Sequence, residues 1–191
     1  SETSAHPCVL HNGVRYAVLW LRQEGDTHKV QLRFVSNAGA ALGDAPITLF
    51  QQNHPMQAAH FAWEETRDQF LVAWADSRVG APRSIFAMLA DQEGRDIGDP
   101  FEIAGVGAPA VVKNVFVARH PAAGYLLLWE DNAQRGENIF NPNPQTPRFD
   151  VNLAFLNADG RVDGRVAGGR SRISDASRDT YGFACLVTWD A

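Results

Sequence analysis

The sequence lacks any run of apolar residues near the roughly 18 that are needed to cross a bilayer. Its opening letters, SETSAHP, lack the charged and then apolar form of a signal peptide, and we expect a soluble chain without a membrane span. Lys and Arg are also few, 17 against 22 Asp and Glu, and they are scattered rather than clustered. Because a nucleic-acid-binding surface normally needs a basic stripe, nucleic acid is not an expected partner.

Catalytic signatures are missing as well. The chain contains no Gly-x-x-x-x-Gly-Lys, His-Glu-x-x-His, Cys-x-x-Cys or Gly-x-Ser-x-Gly motif, and we predict no catalytic residue. With 191 residues, 45% of them hydrophobic, the chain is long enough for a single globular domain over 1–191. Function therefore has to be sought in features other than a signature motif.

Internal repeats are what the sequence does contain. A segment that begins with an aromatic residue and ends with Trp occurs as YAVLW, FLVAW and YLLLW, and the related CLVTW follows near the C-terminus. The tryptophans of these segments recur at intervals of 54, 55 and 60 residues, which gives a period of about 54. Glycine pairs recur in step with them, as Gly39/Gly43, Gly94/Gly98 and Gly160/Gly164.

Each repeat contains four extended segments. In the third segment Val30, Leu32 and Phe34 alternate with other residues before Gly39, and the same spacing recurs in the next two repeats. This period of two predicts a strand with one buried face. The segment that ends in Trp is apolar at nearly every position, which is typical of a strand covered on both faces.

Four strands per repeat are typical of the blades of a β-propeller. Over essentially its whole length the sequence resembles bacterial propeller repeats built on aromatic-x-x-x-Trp-x-Asp followed by Gly-x-x-x-Gly, with the aspartates at Asp76 and Asp131. The resemblance implies an all-β fold, a β-propeller of four-stranded antiparallel blades. We place the repeats at about 1–53, 54–108 and 109–174, with a partial repeat at 175–191.

The number of repeats is lower than the roughly four to eight blades with which propellers close. We predict a four-bladed ring whose last blade is small or is completed by the N-terminal strand. The alternatives are a fragment of a longer propeller, or a ring completed by a partner chain or by a second copy in a homo-oligomer.

Two cysteines bear on the closure of the ring. Cys8 lies in the first strand and Cys185 in the last strand-like segment. A disulfide between them would join the two ends, would stabilise the fold by about 5 kcal/mol, and would indicate a secreted or periplasmic protein. The alternative is that both are small buried hydrophobic residues.

Two groups of residues suggest metal sites. His6 and His60 precede the tryptophan of their repeats by the same number of residues, in the strand that should line the central channel. Together with His54 or Asp175 they would bind a transition metal or calcium there, although the third repeat has Val115 at this position. The alternative is that they are hydrogen-bonded structural histidines.

The stretch NADGRVDG, at 157–164, has the acidic residues and glycines of a calcium loop. Its first ligand position would be Phe155, however, and the first repeat has Ala38 in place of Asp159. We therefore predict a hairpin turn with a glycine at positive φ. The repeated Asp76 and Asp131 are likewise predicted to accept hydrogen bonds from backbone N–H groups of the following turn rather than to act in catalysis.

The third repeat contains an insertion at 132–148, which is rich in Asn, Pro and Gly. Loops that depart from a repeat often bind ligands, and Phe140, Asn141 and Asn143 are the candidate contacts. We predict a non-catalytic module that binds a glycan or a partner protein on the face with this loop and the blade-to-blade loops. The alternatives are a propeller glycoside hydrolase and a purely structural segment of a larger propeller.

Overall fold

The computed structural model of the chain describes residues 2–76, 83–107, 112–120, 124–131, 150–163 and 171–172. Blade 1 consists of β1 (Glu2–His11), β2 (Tyr16–Glu24), β3 (Thr27–Val35) and β4 (Ile47–Gln52). Blade 2 consists of β5 (Met56–Glu64), β6 (Gln69–Asp76), β7 (Arg83–Asp91) and β8 (Phe101–Gly107). Blade 3 consists of β9 (Val112–His120), β10 (Gly124–Asp131), β11 (Asp150–Leu156) and β12 (Ser171–Arg172).

Each blade is an antiparallel sheet whose strands pair in chain order. The first strands lie next to one another, with β5 in contact with both β1 and β9. This arrangement confirms the predicted all-β propeller of four-stranded blades. The repeat boundaries, the number of blades in the ring and its closure stay predictions, because the last repeat at 175–191 lies outside the described residues. Within the described ranges, no helix is long and apolar enough to cross a membrane.

Two hydrophobic cores lie between the blades. The repeated aromatic and Trp residues of blades 2 and 3 face the preceding blade, so that Phe70 and Trp74 pack against blade 1, and Tyr125 and Trp129 pack against blade 2. All four are at most 1% exposed. The alternating residues of the third strands face the following blade instead. Each interface therefore joins the aromatic face of one blade to the alternating third-strand residues of the blade before it, which include Phe34 between blades 1 and 2.

The hairpins between third and fourth strands confirm the turn predicted at NADGRVDG. The Asn157 side chain accepts hydrogen bonds from the backbone N–H groups of Asp159 and Arg161, at 3.0 and 2.9 Å. Gly160 has a φ of 73°, which disfavours residues that carry a Cβ. A Cβ at this glycine would lie 2.6 Å from Phe101 Cζ of blade 2. The repeated glycine therefore serves the turn and also lets the hairpin approach the preceding blade.

We call the end of each blade at which its first strand begins and its second strand ends the upper end. Near this end the first strand of every blade carries a β-bulge, because the register shifts at Ala5/Cys8, at Gln57/Ala59 and opposite Glu130/Asp131. Bulges commonly occur next to functional sites, where they redirect a side chain. The upper end is therefore the part of the fold that positions the candidate site.

Candidate functional site

The upper end of blade 3 contains three buried carboxylates. Glu130 is 4% exposed, and Asp131 and Asp150 are 0% exposed. Asp131 ends β10 and pairs directly with Asp150, which begins β11. Burial of a carboxylate is unfavourable unless hydrogen bonds compensate the lost hydration, so such a concentration of buried acids marks this end of the blade as the candidate site.

Glu130 departs from the repeat. It directly follows the repeated Trp, and the residues that follow this Trp in blades 1 and 2 are Leu21 and Ala75, both buried in the inter-blade cores. Asn114, its direct partner on β9, donates a hydrogen bond from Nδ2 to Glu130 Oε2 at 2.6 Å. An apolar repeat position thus holds a carboxylate with an amide partner, and a carboxylate in such a place can donate or accept a proton.

The departure at Glu130 was missed in the sequence because it follows an otherwise regular apolar segment. The signal was present, since aligning YAVLWL, FLVAWA and YLLLWE shows one acidic residue at an apolar position. Places where a sequence breaks its own local rule are often functional.

Asp131 has a structural role within the same cluster. Its Oδ2 accepts hydrogen bonds from Trp129 Nε1 at 2.6 Å and from Asn152 Nδ2 at 3.0 Å. Asp76, its counterpart in blade 2, accepts from Gln52 Nε2 of blade 1 at 3.3 Å. The Trp-x-Asp carboxylates therefore accept hydrogen bonds from side chains: Asp131 orients the buried indole, whereas Asp76 connects two blades.

His6 and His60, the two first-strand histidines of the predicted metal site, do not occupy equivalent positions in their blades. In the observed register Cys8 and His60 each pair with the residue just before their blade's tryptophan, so the counterpart of His60 is Cys8. His6 and Ala58 are counterparts instead, with φ values of 54° and 48° in their bulges. His6 and His60 are equally far from their tryptophans in sequence, but the hairpin between the first two strands is longer in blade 2 than in blade 1 by one pair of strand residues. Equal distance in sequence therefore does not mean an equivalent position in the sheet.

The His60 side chain contacts blade 3. Its Nδ1 accepts a hydrogen bond from the Val117 backbone N–H at 3.2 Å, and its ring centroid lies 5.7 Å from that of Phe116. His54, in contrast, is exposed in the connection between blades 1 and 2. In the ranges that the structure describes, no group of three His, Cys, Asp or Glu side chains is placed to hold a metal ion. The hydrogen bond from Val117 fits the structural alternative for His60. Asp175 lies outside the described residues, and the metal site stays a prediction.

Cys8 occupies the corresponding contact between blades 1 and 2. Its Sγ lies 3.9 Å from the Ala59 carbonyl oxygen, and burial raises the pKa of the thiol to about 12. Cys185 lies outside the described residues, as do Phe140, Asn141 and Asn143 of the insertion. The disulfide and the ligand contacts of the insertion consequently stay predictions.

The His60 contact makes stability depend on pH. Burial lowers the pKa of His60 below its usual 6.5, and the Val117 N–H can donate only to an unprotonated nitrogen. The contribution of this contact to the free energy of unfolding is complete above the unfolded-state pKa. It is lost as the pH falls below about 6.5 toward the folded-state pKa. We expect a loss of about 1–3 kcal/mol that is absent in His60→Leu and retained in His54→Leu, measured by urea unfolding at several pH values.

Comparison with known proteins finds solved structures with a similar fold. The sequence matches no protein-family model and no curated protein. Among solved structures it is similar to an endo-arabinase from Bacteroides thetaiotaomicron, with a TM-score of 0.60 and 9% identity over 88% of this chain and 61% of that one. It is also similar to an α-L-arabinanase from Penicillium chrysogenum complexed with arabinobiose, with a TM-score of 0.61 and 11% identity over 92% and 51%.

A third similar structure is an α-L-arabinofuranosidase from Clostridium thermocellum, with a TM-score of 0.52 and 13% identity over 82% of this chain and 51% of that one. The chain thus spans about half to three-fifths of the length of these proteins. At such low identity the similarity shows the propeller fold. The prediction of a non-catalytic binding module is nevertheless wrong by these comparisons, because the similar structures are glycoside hydrolases. These comparisons favour the alternative prediction, a propeller glycoside hydrolase.

Proposed function

We propose that this chain is a β-propeller glycoside hydrolase, or a part of one, that acts on arabinose-containing glycans. The observation that carries the proposal is the shared fold: the propeller aligns over 82–92% of the chain with enzymes named for arabinan or arabinofuranoside cleavage. Arabinan is a polysaccharide, and a secreted or periplasmic location would bring the protein to such a substrate.

Glu130 is the described carboxylate that we assign to the chemistry. Glycoside hydrolysis normally uses an acid that protonates the leaving oxygen and a second carboxylate that acts as base or nucleophile. We assign Glu130 to the acid role, in which a carboxyl group transfers its proton to the leaving oxygen. Glu130 is buried at the upper end of blade 3 and accepts a hydrogen bond from Asn114, whereas Asp131 accepts hydrogen bonds from two side chains.

The insertion at 132–148 is proposed to contribute to substrate binding. It directly follows Asp131, the last residue of β10, and ends just before β11 begins at Asp150. Both attachment points lie at the upper end of blade 3, beside Glu130. The insertion, which contains Phe140, Asn141 and Asn143, is therefore joined to the described strands next to the candidate site.

The activity is tested with two substrates that distinguish the similar enzymes. The purified chain is incubated with linear arabinan and with p-nitrophenyl α-L-arabinofuranoside, and products are quantified by chromatography and by absorbance. We expect hydrolysis of at least one of the two. Shortening of the polymer would indicate an endo-acting arabinanase, and release of p-nitrophenol alone would indicate an arabinofuranosidase. If neither substrate is cleaved, the proposed function is refuted.

A further inference from the structure

Asn114 opposes Glu130 in a cross-strand pair that has no counterpart in blades 1 and 2. The residue after the repeated Trp is apolar in those two blades, where it pairs with Ala5 on β1 and with Gln57 on β5. In blade 3 the same position joins an amide to a carboxylate, with 2.6 Å between Asn114 Nδ2 and Glu130 Oε2. The amide and the carboxylate therefore occur together, in the blade that holds the candidate site.

The β-bulge of blade 3 lies one residue closer to the upper end than the β-bulge of blade 2. In blade 2 the extra residue separates Gln57 from Ala59, the partner of the repeated Trp. In blade 3 the partners of the repeated Trp and of Glu130 are the consecutive residues Val115 and Asn114, and the register shifts only beyond them. The pair of Asn114 with Glu130 consequently lies within regular sheet.

The position of the bulge determines which side chain opposes Glu130. With the extra residue where blade 2 has it, Lys113 would take the place of Asn114, whereas in the observed register Lys113 is the exposed extra residue. An ammonium group only donates hydrogen bonds and favours an ionised partner. An amide both donates and accepts, so it can bond a carboxyl group with or without its proton. A carboxyl group that transfers a proton passes through both forms in each turnover.

We propose that Asn114 is a positioning residue for Glu130, and that it holds the carboxyl group in one orientation through both protonation states. The inference rests on the proposed function for the catalytic role of Glu130. Both residues lie on paired strands, β9 and β10, and strands hold a catalytic group more precisely than loops do. Asn114 acts through Glu130 and does not itself take part in the chemistry.

The first test compares Asn114→Leu with Gln57→Leu in the hydrolysis of linear arabinan. Leucine has the branched shape of asparagine but cannot hydrogen-bond. We expect Asn114→Leu to lower kcat by about 10–100-fold, the effect of one hydrogen bond to a charged group, and to leave KM within about twofold of the wild type. Gln57→Leu, the matched control in blade 2, should change neither. A wild-type kcat in folded Asn114→Leu would overturn the inference and leave the proposed function intact.

Asn114→Asp distinguishes positioning from packing, and it covers the case in which Asn114→Leu fails to fold. Aspartate has the size of asparagine, but it donates a hydrogen bond only when it is protonated. We expect the activity of this variant, divided by that of the wild type at the same pH, to rise about tenfold from about pH 7 to about pH 4. A ratio that is constant over this range would overturn the inference, because Asn114 would then only fill space.

The hydrogen bond is also measured without substrate, by ¹H–¹⁵N NMR of the Asn114 side-chain amide, which is assigned by its absence in Asn114→Leu. We expect its chemical shift to change with pH in the wild type and to stay constant in Glu130→Gln. If the wild type cleaves no arabinan, the proposed function is refuted and this signal decides the pairing alone. A pH-dependent shift that requires Glu130 supports the pairing, and a shift that is the same in Glu130→Gln overturns it.

Discussion

Gly124→Ala is expected to unfold blade 3 at temperatures where the wild type is stable, with a loss of at least about 3 kcal/mol in the free energy of unfolding. Gly124 begins β10 with a φ of 97°. A Cβ there would lie 2.5 Å from the backbone nitrogen of Ala158 and 2.6 Å from the carbonyl oxygen of Asn157. Because both are backbone atoms, no side-chain rotation relieves the clash. The hairpin would have to move away from β10.

Gly13→Ala provides the matched control. Gly13 lies in the corresponding hairpin of blade 1 with a φ of 90°, but a Cβ at Gly13 would meet no atom within 4 Å. It should therefore cost only the strain of a positive φ, about 1–2 kcal/mol. Urea unfolding followed by tryptophan fluorescence measures both variants. Equal losses in the two would show that the close packing of Gly124 against 157–158 contributes nothing.

Glu130→Gln is expected to lower the rate of arabinan hydrolysis by about 10²–10⁴-fold, the range that a general acid or base contributes. The substitution preserves the size of the side chain and its contact with Asn114, but it removes the exchangeable carboxyl proton. The thermal midpoint should remain close to that of the wild type. An inactive but folded variant is the signature of a residue that acts in chemistry rather than in packing.

Glu93→Gln is the control for charge. Glu93 lies on a lower-end hairpin of blade 2, where its partner is Arg95, and its substitution should leave hydrolysis unchanged. If Glu130→Gln retained wild-type activity on arabinan, the acid would have to be assigned elsewhere. The fold assignment would not be affected by that result.

The strands could be predicted from the sequence because the same pattern of apolar residues and glycines occurs in each repeat. The alternation at Val30, Leu32 and Phe34 predicts a one-sided strand, and these residues do face a neighbouring blade. Because the same glycine occurs in three different hairpins, the stretch at 157–164 could be identified as a turn rather than as a calcium-binding loop. Repetition averages out local variation, so the features common to all repeats are those that the fold requires.

The positions near the site could not be predicted in the same way. Their distance from the tryptophan in sequence predicts that His6 and His60 are equivalent. One additional residue pair in the first hairpin of blade 2 shifts the alignment by two residues, so that Cys8 rather than His6 is the counterpart of His60. First-strand side chains also alternate between neighbouring blades, so a histidine there does not have to face the axis. Neither effect can be detected from composition or periodicity, because both depend on the register in which neighbouring strands pair.

The most direct test of the central claim is product formation from linear arabinan by the wild-type chain, followed over time by ¹H NMR in parallel with Glu130→Gln at the same concentration. The account predicts that arabinose or short arabino-oligosaccharides appear with the wild type and that the variant forms none above the blank. Absence of products with a folded wild-type chain, or equal product formation by both proteins, would contradict it.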